Sequence, residues 1–137
     1  MDMQTYFLNR KRNAENIKDK IIDTLNKQGI KVDGRVEYNG SAICIEHKNL
    51  NIWMWLRLMW NETADKCTIY MSNIKFTPKY QRKGIFTNII NMLKRNKYID
   101  NIVIQSVSSD SMRNWCKKHR FIEDEYAYNF YWKMHSM

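Results

Sequence analysis

The sequence is poor in residues that interrupt secondary structure or cross-link a chain. Its 137 residues include one proline, four glycines and three cysteines. The proline, Pro78, lies inside a motif and not between two domains, and no repeat or low-complexity tract is present. The cysteines, Cys44, Cys67 and Cys116, are odd in number and widely spaced, which indicates neither a disulfide framework nor a zinc site. We therefore expect a single domain spanning residues 1–137, with no metal.

A long apolar run is also missing. No stretch approaches the roughly 18 apolar residues that cross a bilayer, and the start of the chain, residues 1–4, lacks the apolar region of a secretory signal. Hydrophobic residues nonetheless make up 44% of the chain and aromatic residues 13%, which excludes a disordered chain. We expect a soluble, cytoplasmic protein with no membrane partner.

Acidic residues are absent from one long segment. Between Lys66 and Ile99 there is no Asp or Glu, whereas eight lysines and arginines lie there. This segment accounts for nearly all of the formal net charge of +9. Such a basic protein suits a phosphate-bearing ligand or a nucleic acid, and a solvated basic surface is the structural alternative.

The most informative motif lies within this basic segment. An apolar, β-favouring run from Thr68 to Phe76 stops at Pro78, and a basic turn with Gly84 leads into a pattern of helical period. The apolar residues of that pattern are Ile85, Phe86, Ile89, Ile90 and Leu93. A strand, a loop and a helix are predicted. Such a junction directs unpaired backbone N–H groups and the positive end of a helix dipole at one point, which is typical of a phosphate site.

At these residues the chain resembles the GNAT superfamily of acyl-CoA-dependent N-acetyltransferases. The pyrophosphate loop of that family reads Gln/Arg-x-x-Gly-x-Gly/Ala, and Phe86 stands where its final Gly or Ala is usual. The six corresponding positions are Gln81, Arg82, Lys83, Gly84, Ile85 and Phe86.

A second segment, Ser109 to Phe121, resembles the closing helix of the same family. Ser109 falls at its polar opening, Cys116 at the position of its Tyr, and Arg120 with Phe121 at its final Gly-Phe pair. If the helix ends in a left-handed residue, Arg120 in place of glycine costs about 1 kcal/mol. A different C-terminal geometry is the alternative.

The resemblance implies the binding residues of the site and acetyl-CoA as the acyl donor. Backbone groups of residues 74–76 would pair with the pantetheine arm, and the amides of residues 82–87 would hold the pyrophosphate. The residues that the resemblance assigns to acetyl-CoA are Ile74, Lys75, Phe76, Gln81, Arg82, Lys83, Gly84, Ile85, Phe86, Thr87 and Ser109.

The resemblance also bears on proton transfer. The family protonates the departing thiolate with the Tyr whose position Cys116 occupies, so Cys116 is a candidate general acid. A small hydrophobic side chain that packs against the inner face of its helix is the alternative for Cys116. Tyr126 or Tyr128 can substitute from the last strand.

The pattern in the first half of the chain predicts one helix and an antiparallel meander. Residues 13–28 have helical apolar spacing, with Asn13 as N-cap and Gly29 at the end. Segments 30–38 and 42–47 are predicted strands joined at Asn39 and Gly40 by a type I′ turn. Segment 50–60 is apolar on both faces, which predicts a central strand covered on both sides.

The second half predicts a helix to about residue 96, a strand at 101–107, a helix at 109–118 and a last strand at 126–133. The fold class is therefore α/β with a mixed sheet, GNAT-like: an antiparallel N-terminal meander, a βαβ crossover and a C-terminal hairpin strand.

Three functions remain open. The first is an acetyl-CoA-dependent N-acetyltransferase that acts on an amine of a protein or nucleic-acid-associated acceptor, with the basic charge favouring an acidic or polyanionic one. The second is a catalytically silent GNAT-like module that binds coenzyme A or a macromolecular partner. The third is a basic nucleic-acid-binding domain. The resemblance also makes a homodimer an expectation, which no particular residue supports.

Overall fold

The computed structural model of the chain describes residues 1–47, 52–75, 84–107, 109–125 and 128–134, and only the backbone at 73–75. The helices are α1 (Met3–Asn26), α2 (Ile85–Arg95) and α3 (Asp110–Lys118). The strands are β1 (Asp33–Glu37), β2 (Ala42–His47), β3 (Ile52–Trp60), β4 (Cys67–Lys75), β5 (Ile99–Ile104), β6 (Ile122–Glu123) and β7 (Phe130–Lys133). None of the helices in these ranges is long and apolar enough to cross a membrane.

Helix α1 begins ten residues earlier than predicted. Its N-cap is Asp2, whose carboxylate accepts a hydrogen bond from the Thr5 N–H at 2.7 Å. The predicted cap, Asn13, is instead buried in the middle of the helix, where its amide donates to the carbonyl oxygen of Ala64 at 2.7 Å. The first turns were missed because none of residues 3–12 is buried, so they carry no apolar spacing that indicates a helix. The end of the helix is confirmed, since Gly29 follows with a φ of +80°.

Strands β1 and β2 form the predicted hairpin, and Asn39 and Gly40 have the positive φ values of the predicted type I′ turn, 54° and 88°. The Ser41 N–H closes this turn on the Tyr38 carbonyl at 3.2 Å. The loop is longer than two residues, because Tyr38 also has a positive φ, 52°, and the last strand pair is Glu37 with Ala42. The first turns of α1 lie against this loop. A Cβ atom on Gly40 would stand 2.7 Å from the carbonyl carbon of Arg10. Packing against a helix has therefore selected a longer turn than the Asn-Gly pair alone predicts.

One mixed sheet has the order β1-β2-β3-β4-β5-β7-β6. Strands β1 to β4 pair in antiparallel fashion, β4 and β5 are parallel across α2, and β7 pairs antiparallel with β5 and β6. This arrangement confirms the predicted fold class: a mixed α/β sheet with an antiparallel meander, one crossover and a C-terminal hairpin. Strand β5 ends at Ile104, and β7 begins at Phe130, four residues later than predicted. Strand β6 was not predicted.

The helices lie on one face of the sheet. Every second side chain of the strands, such as Leu56, Ile69 and Ile102, is buried beneath α1 and α2. Helix α3 packs against α2. Among the described residues no helix covers the other surface, which we call the bare face. Its side chains include Trp55, Arg57, Thr68, Tyr70, Asn101, Val103 and Tyr131. The prediction that β3 is covered on both sides is therefore wrong, because apolar residue types do not reveal whether a second layer exists.

Candidate functional site

Strands β4 and β5 separate at one edge of the sheet. Their pairing ends at Met71 with Ile104, and the last hydrogen bond runs from the Gln105 N–H to the Met71 carbonyl at 2.9 Å. At Ser106 the chain turns away with a φ of 56°, and its N–H binds the side-chain oxygen of Asn129 at 2.9 Å. Strand β4 continues to Lys75, beyond the last residue that pairs with β5. The two parallel strands therefore diverge, and a gap opens between them.

A bulge in β4 lies beside this gap. On the β3 side, Trp55 pairs with Ser72 and Trp53 pairs with Lys75, so β4 holds one extra residue between the two pairs. A bulge bends its strand and increases the local twist. The backbone of Ile74 and Lys75, which the resemblance assigned to the ligand, lies on this segment. A bent strand with an open edge can accept an extended ligand as an added strand.

The N-terminus of α2 follows the bulged strand in sequence. Its N-cap is Gly84, at a φ of +73° and with no capping side chain. The first helical hydrogen bond runs from the Asn88 N–H to the Gly84 carbonyl at 2.9 Å, so the N–H groups of residues 85–87 lie outside the helical ladder. A Cβ atom on Gly84 would meet nothing within 4 Å. The glycine thus supplies both the left-handed conformation and open space for a ligand near the positive end of the helix.

Of the residues assigned to acetyl-CoA, Phe76, Gln81, Arg82 and Lys83 lie outside the described residues. Ile85 is the first residue of α2, and its side chain is buried, with 4% exposure. Only its backbone can therefore contact a ligand. Ser109 caps α3, where its hydroxyl accepts a hydrogen bond from the Met112 N–H at 3.1 Å.

Phe86 and Thr87 touch a residue that sequence reasoning missed. The rings of Phe86 and Trp115 lie 4.7 Å apart, and the Trp115 indole N–H donates to the Thr87 hydroxyl at 3.0 Å. Trp115 also stacks on His119 with centroids 4.1 Å apart. The sequence offered no signal of this contact beyond a tryptophan directly before Cys116, because Trp115 and Thr87 are 28 positions apart and lie on different helices.

The end of α3 carries the left-handed residue considered above. Arg120 has a φ of +65°. The Phe121 N–H binds the Cys116 carbonyl at 2.9 Å, and the Arg120 N–H binds that of Lys117 at 3.3 Å, which is the Schellman pattern. From α2, the ammonium of Lys94 donates to the His119 carbonyl at 2.9 Å. Arg120 and Phe121 therefore end the helix with the geometry expected of a Gly-Phe pair, although Arg120 is not a glycine.

Cys116 is fully buried in the core. Burial raises the pKa of its thiol to about 11. The thiol therefore stays protonated near neutral pH but has no exposed path to a ligand, which favours the packing alternative over a general acid. Tyr128, the other described candidate, is 65% exposed, lies outside β7 and contacts the Arg113 guanidinium, 5.3 Å from its ring centroid.

No protein-family model matches the chain. No curated protein matches it either. Several solved structures are similar in shape, at low identity. Naa50 of Arabidopsis thaliana, solved with a bisubstrate analogue, is 11% identical over 66% of this chain and 68% of its own, with a TM-score of 0.45.

Two further structures show the same level of similarity. NAA60 of Arabidopsis thaliana, also with a bisubstrate analogue, is 8% identical over 92% of this chain and 95% of its own, with a TM-score of 0.47. N-acetylglutamate synthase of Neisseria gonorrhoeae, complexed with coenzyme A and L-arginine, is 12% identical over 86% of this chain and 32% of its own, with a TM-score of 0.45. Similarities this distant carry no conclusion about activity.

The fold is assigned from the sheet of this chain. The antiparallel meander, the parallel β4–α2–β5 crossover, the divergence after Met71 and the β7 strand beside β5 together form a GNAT-like fold. The fold predicted from the loop motif is thus confirmed.

Proposed function

We propose that the chain is an acetyl-CoA-dependent N-acetyltransferase that transfers the acetyl group directly to an amine. The observation that carries the proposal is the gap between β4 and β5 beyond Met71, next in sequence to the uncapped, glycine-opened N-terminus of α2. An extended arm with a diphosphate at one end requires both features: a strand edge for its amides, and backbone N–H groups for its phosphates.

The described residues fit acetyl-CoA. The backbone of Ile74 and Lys75 lies on the bulged strand that outlasts β5, and Gly84 leaves open space at the helix N-terminus. These groups, with the N–H groups of residues 85–87, would hold the arm and the phosphates. Acetyl-CoA supplies an activated acetyl thioester when bound.

Transfer then requires three contributions from the site. A neutral amine forms the new C–N bond while the C–S bond breaks, a donor stabilises the developing oxyanion, and the departing thiolate takes up a proton. Backbone N–H groups on β4 beyond Met71 are suited to the oxyanion. Since the Cys116 thiol is buried, we assign the proton of the thiolate to the acceptor nitrogen, which loses one proton as the amide forms and passes it on directly or through solvent.

A matched pair of glycine variants tests the acetyl-CoA site. Gly84 and Gly29 have similar φ values, +73° and +80°, and neither has an atom within 4 Å of a built Cβ. Gly84→Glu and Gly29→Glu therefore introduce the same backbone strain, about 1–2 kcal/mol, but only the former places a carboxylate beside the proposed phosphate site.

We expect acetyl-CoA to raise the melting temperature of the parent chain and of Gly29→Glu, because a ligand that binds only the folded state stabilises it. Gly84→Glu should show little or no rise. Equal rises in the two variants, or none in the parent chain, would contradict the proposed site.

A second candidate function is a catalytically silent module that binds acetyl-CoA. The full burial of Cys116, where the family has its Tyr, favours it. Free-thiol release from acetyl-CoA in the presence of a panel of amines separates the two functions. An enzyme releases thiol in proportion to the amine, whereas a silent module shows the thermal shift without amine-dependent release.

A further inference from the structure

A groove of about 450 Å³ lies between α1 and α2. Side-chain hydrogen bonds join the two helices at both of its ends. At one end the Asn88 amide donates to the Gln28 side-chain oxygen at 2.9 Å, and at the other the Asn96 amide donates to that of Asn16 at 3.5 Å. The two helices therefore run antiparallel, and between these bonds no side-chain hydrogen bond of the described residues connects them.

Three cations line this groove. Lys20 and Lys27 come from α1 and its C-cap, and Arg95 comes from the last turn of α2. All three are exposed, and none belongs to an ion pair in the described part of the chain. Asp23 is the one acid among the described lining residues, so three cations against one acid leave the lining a net charge of +2. A concave surface of one sign attracts ligands of the opposite sign.

The uncharged lining residues carry an amide or a hydroxyl, apart from Met92. They are Thr24, Gln28, Asn88 and Asn91. Together with lysine and arginine, such side chains bind the phosphate and sugar oxygens of nucleic acids. The Asn91 amide is exposed and makes no hydrogen bond with a described residue, so its two donor hydrogens are available to a ligand. The groove therefore offers a neutral donor beside its cations.

The apolar part of the lining is too small for a protein partner. Met92 is its only described apolar residue, and no described lining residue is aromatic. Protein interfaces bury an apolar core that is rich in aromatic side chains, and single-stranded nucleic acids bind by stacking their bases on aromatic rings. The backbone of a duplex requires neither, because its bases stay stacked inside the double helix.

The length of the groove fits a short stretch of one strand. Asn88 and Arg95 lie seven residues apart on α2, which corresponds to a rise of about 10.5 Å. One strand of a duplex advances about 3.4 Å per nucleotide, so the groove spans about three consecutive phosphates. The three cations of the lining are available to neutralise them.

We propose that the groove between α1 and α2 binds the phosphate backbone of a double-stranded nucleic acid. The proposal goes beyond the acetyltransferase function and does not depend on it, because no lining residue is among those assigned to acetyl-CoA. It gives the positive charge of the chain a particular binding surface, which the net charge of +9 alone does not.

The first test is the salt dependence of duplex binding, measured by fluorescence anisotropy with a labelled DNA duplex. Each phosphate that a cation neutralises contributes about 0.9 to the slope of log K against the logarithm of salt concentration, so the parent chain should show a slope of about −2.7 or steeper. The unlabelled competitors are the single strand of the same sequence and polyglutamate. Absence of duplex binding, or tighter binding of either competitor, would overturn the proposal.

A pair of double variants locates the duplex on the molecule. The groove variant, Lys20→Gln with Arg95→Gln, removes two cations of the lining, whereas Lys11→Gln with Lys117→Gln removes two exposed lysines outside it. The groove variant should lose about 1.8 from the magnitude of the slope and bind the duplex roughly tenfold or more weakly at about 0.1 M salt. The control has the same net charge and should lose much less. Equal losses in the two variants would show that net charge attracts the duplex, and the groove would not be its site.

A second pair of variants increases the positive charge, so that a loss of folding cannot imitate the expected result. Asp23→Asn removes the acid of the groove, and Glu62→Gln removes an exposed acid between β3 and β4. Asp23→Asn should tighten duplex binding about threefold or more, because a carboxylate no longer faces the phosphates. Glu62→Gln should change the affinity little. Unchanged or weaker binding by Asp23→Asn would count against the groove as the binding surface.

The groove and the acetyl-CoA site are tested independently. All of these variants should keep the rise in melting temperature that acetyl-CoA gives the parent chain, which also shows that they are folded. If the parent chain shows no such rise but the groove variant still loses duplex binding selectively, the acetyltransferase function fails and the nucleic-acid site stands. If acetyl-CoA binds and the groove variant binds the duplex as tightly as the parent chain, the nucleic-acid site is wrong instead.

Discussion

The indole N–H of Trp115 on α3 donates a hydrogen bond to the hydroxyl of Thr87 on α2 at 3.0 Å. Thr87 is in the first turn of α2, three residues after Gly84. The bond therefore links the third helix to the segment whose N–H groups form the proposed phosphate site. The Phe86 ring, 4.7 Å from Trp115, supports the same turn from the neighbouring position.

We predict that this bond contributes about 0.5–1.5 kcal/mol to the free energy of unfolding. Trp115→Phe removes the donor but keeps an aromatic ring, and Thr87→Val removes the acceptor at nearly the same volume. Urea denaturation of both single variants and the double variant gives the coupling between them. Additive losses would show that the two side chains are neighbours without an energetic link.

A second prediction concerns the left-handed residue that ends α3. Arg120 has a φ of +65°, which costs a non-glycine residue about 1–2 kcal/mol. Arg120→Gly should therefore raise the free energy of unfolding by about 1 kcal/mol, measured by urea denaturation.

The control for this variant is Arg120→Ala. Burial and the charge of Arg120 lower the pKa of Lys94, so removal of the arginine relieves some repulsion whichever residue replaces it. Alanine removes the same charge but keeps the strain. A glycine variant no more stable than the alanine variant would show that charge, and not backbone conformation, sets the effect.

A third prediction concerns catalysis. Because Cys116 is fully buried, Cys116→Ala should retain the amine-dependent thiol release of the parent chain at every pH tested, at a modest cost in stability. The measurement is the pH–rate profile of the variant beside that of the parent. Loss of one limb of the pH–rate profile in the variant would instead show that the Cys116 thiol acts as the general acid.

Local sequence patterns predicted α2 and the glycine-containing turn before it. Apolar spacing from Ile85 to Leu93 and a glycine directly before it define the helix without reference to the rest of the chain. The Arg120 conformation was also anticipated, because a resemblance placed it where a glycine ends the helix. Both features depend on residues within two or three turns of each other.

The contact between Thr68 and Asn101 on the bare face could not be predicted in this way. The Asn101 amide donates to the Thr68 hydroxyl at 3.2 Å only because β4 and β5 pair in parallel with that register. Likewise, Trp53 and Trp55 have the composition of a covered face although no described helix lies over them. Pairing register and the number of layers are properties of the assembled sheet, and a single sequence does not encode them in a local pattern.

The last prediction concerns stability at alkaline pH. Burial raises the pKa of the Cys116 thiol to about 11, and burial is also the main cause of the raised pKa values of Cys44 and Cys67. In the unfolded chain these thiols titrate near pH 8.5–9. Between that pH and the folded-state pKa, the folded protein binds more protons than the unfolded chain, so the free energy of unfolding falls as pH rises.

The contribution of the neutral thiols is therefore complete below about pH 8.5 and is lost progressively on the way to pH 11 for Cys116. One thiol accounts for at most about 1.4 kcal/mol per pH unit. Cys116→Ala should flatten the decline of stability between pH 9 and 11 relative to the parent chain, measured by urea denaturation at a series of pH values. Lysines and tyrosines that titrate in the same range affect both proteins alike, so the difference between the two curves isolates the buried thiol. Parallel curves would mean that Cys116 ionises as readily in the folded protein as in the unfolded chain.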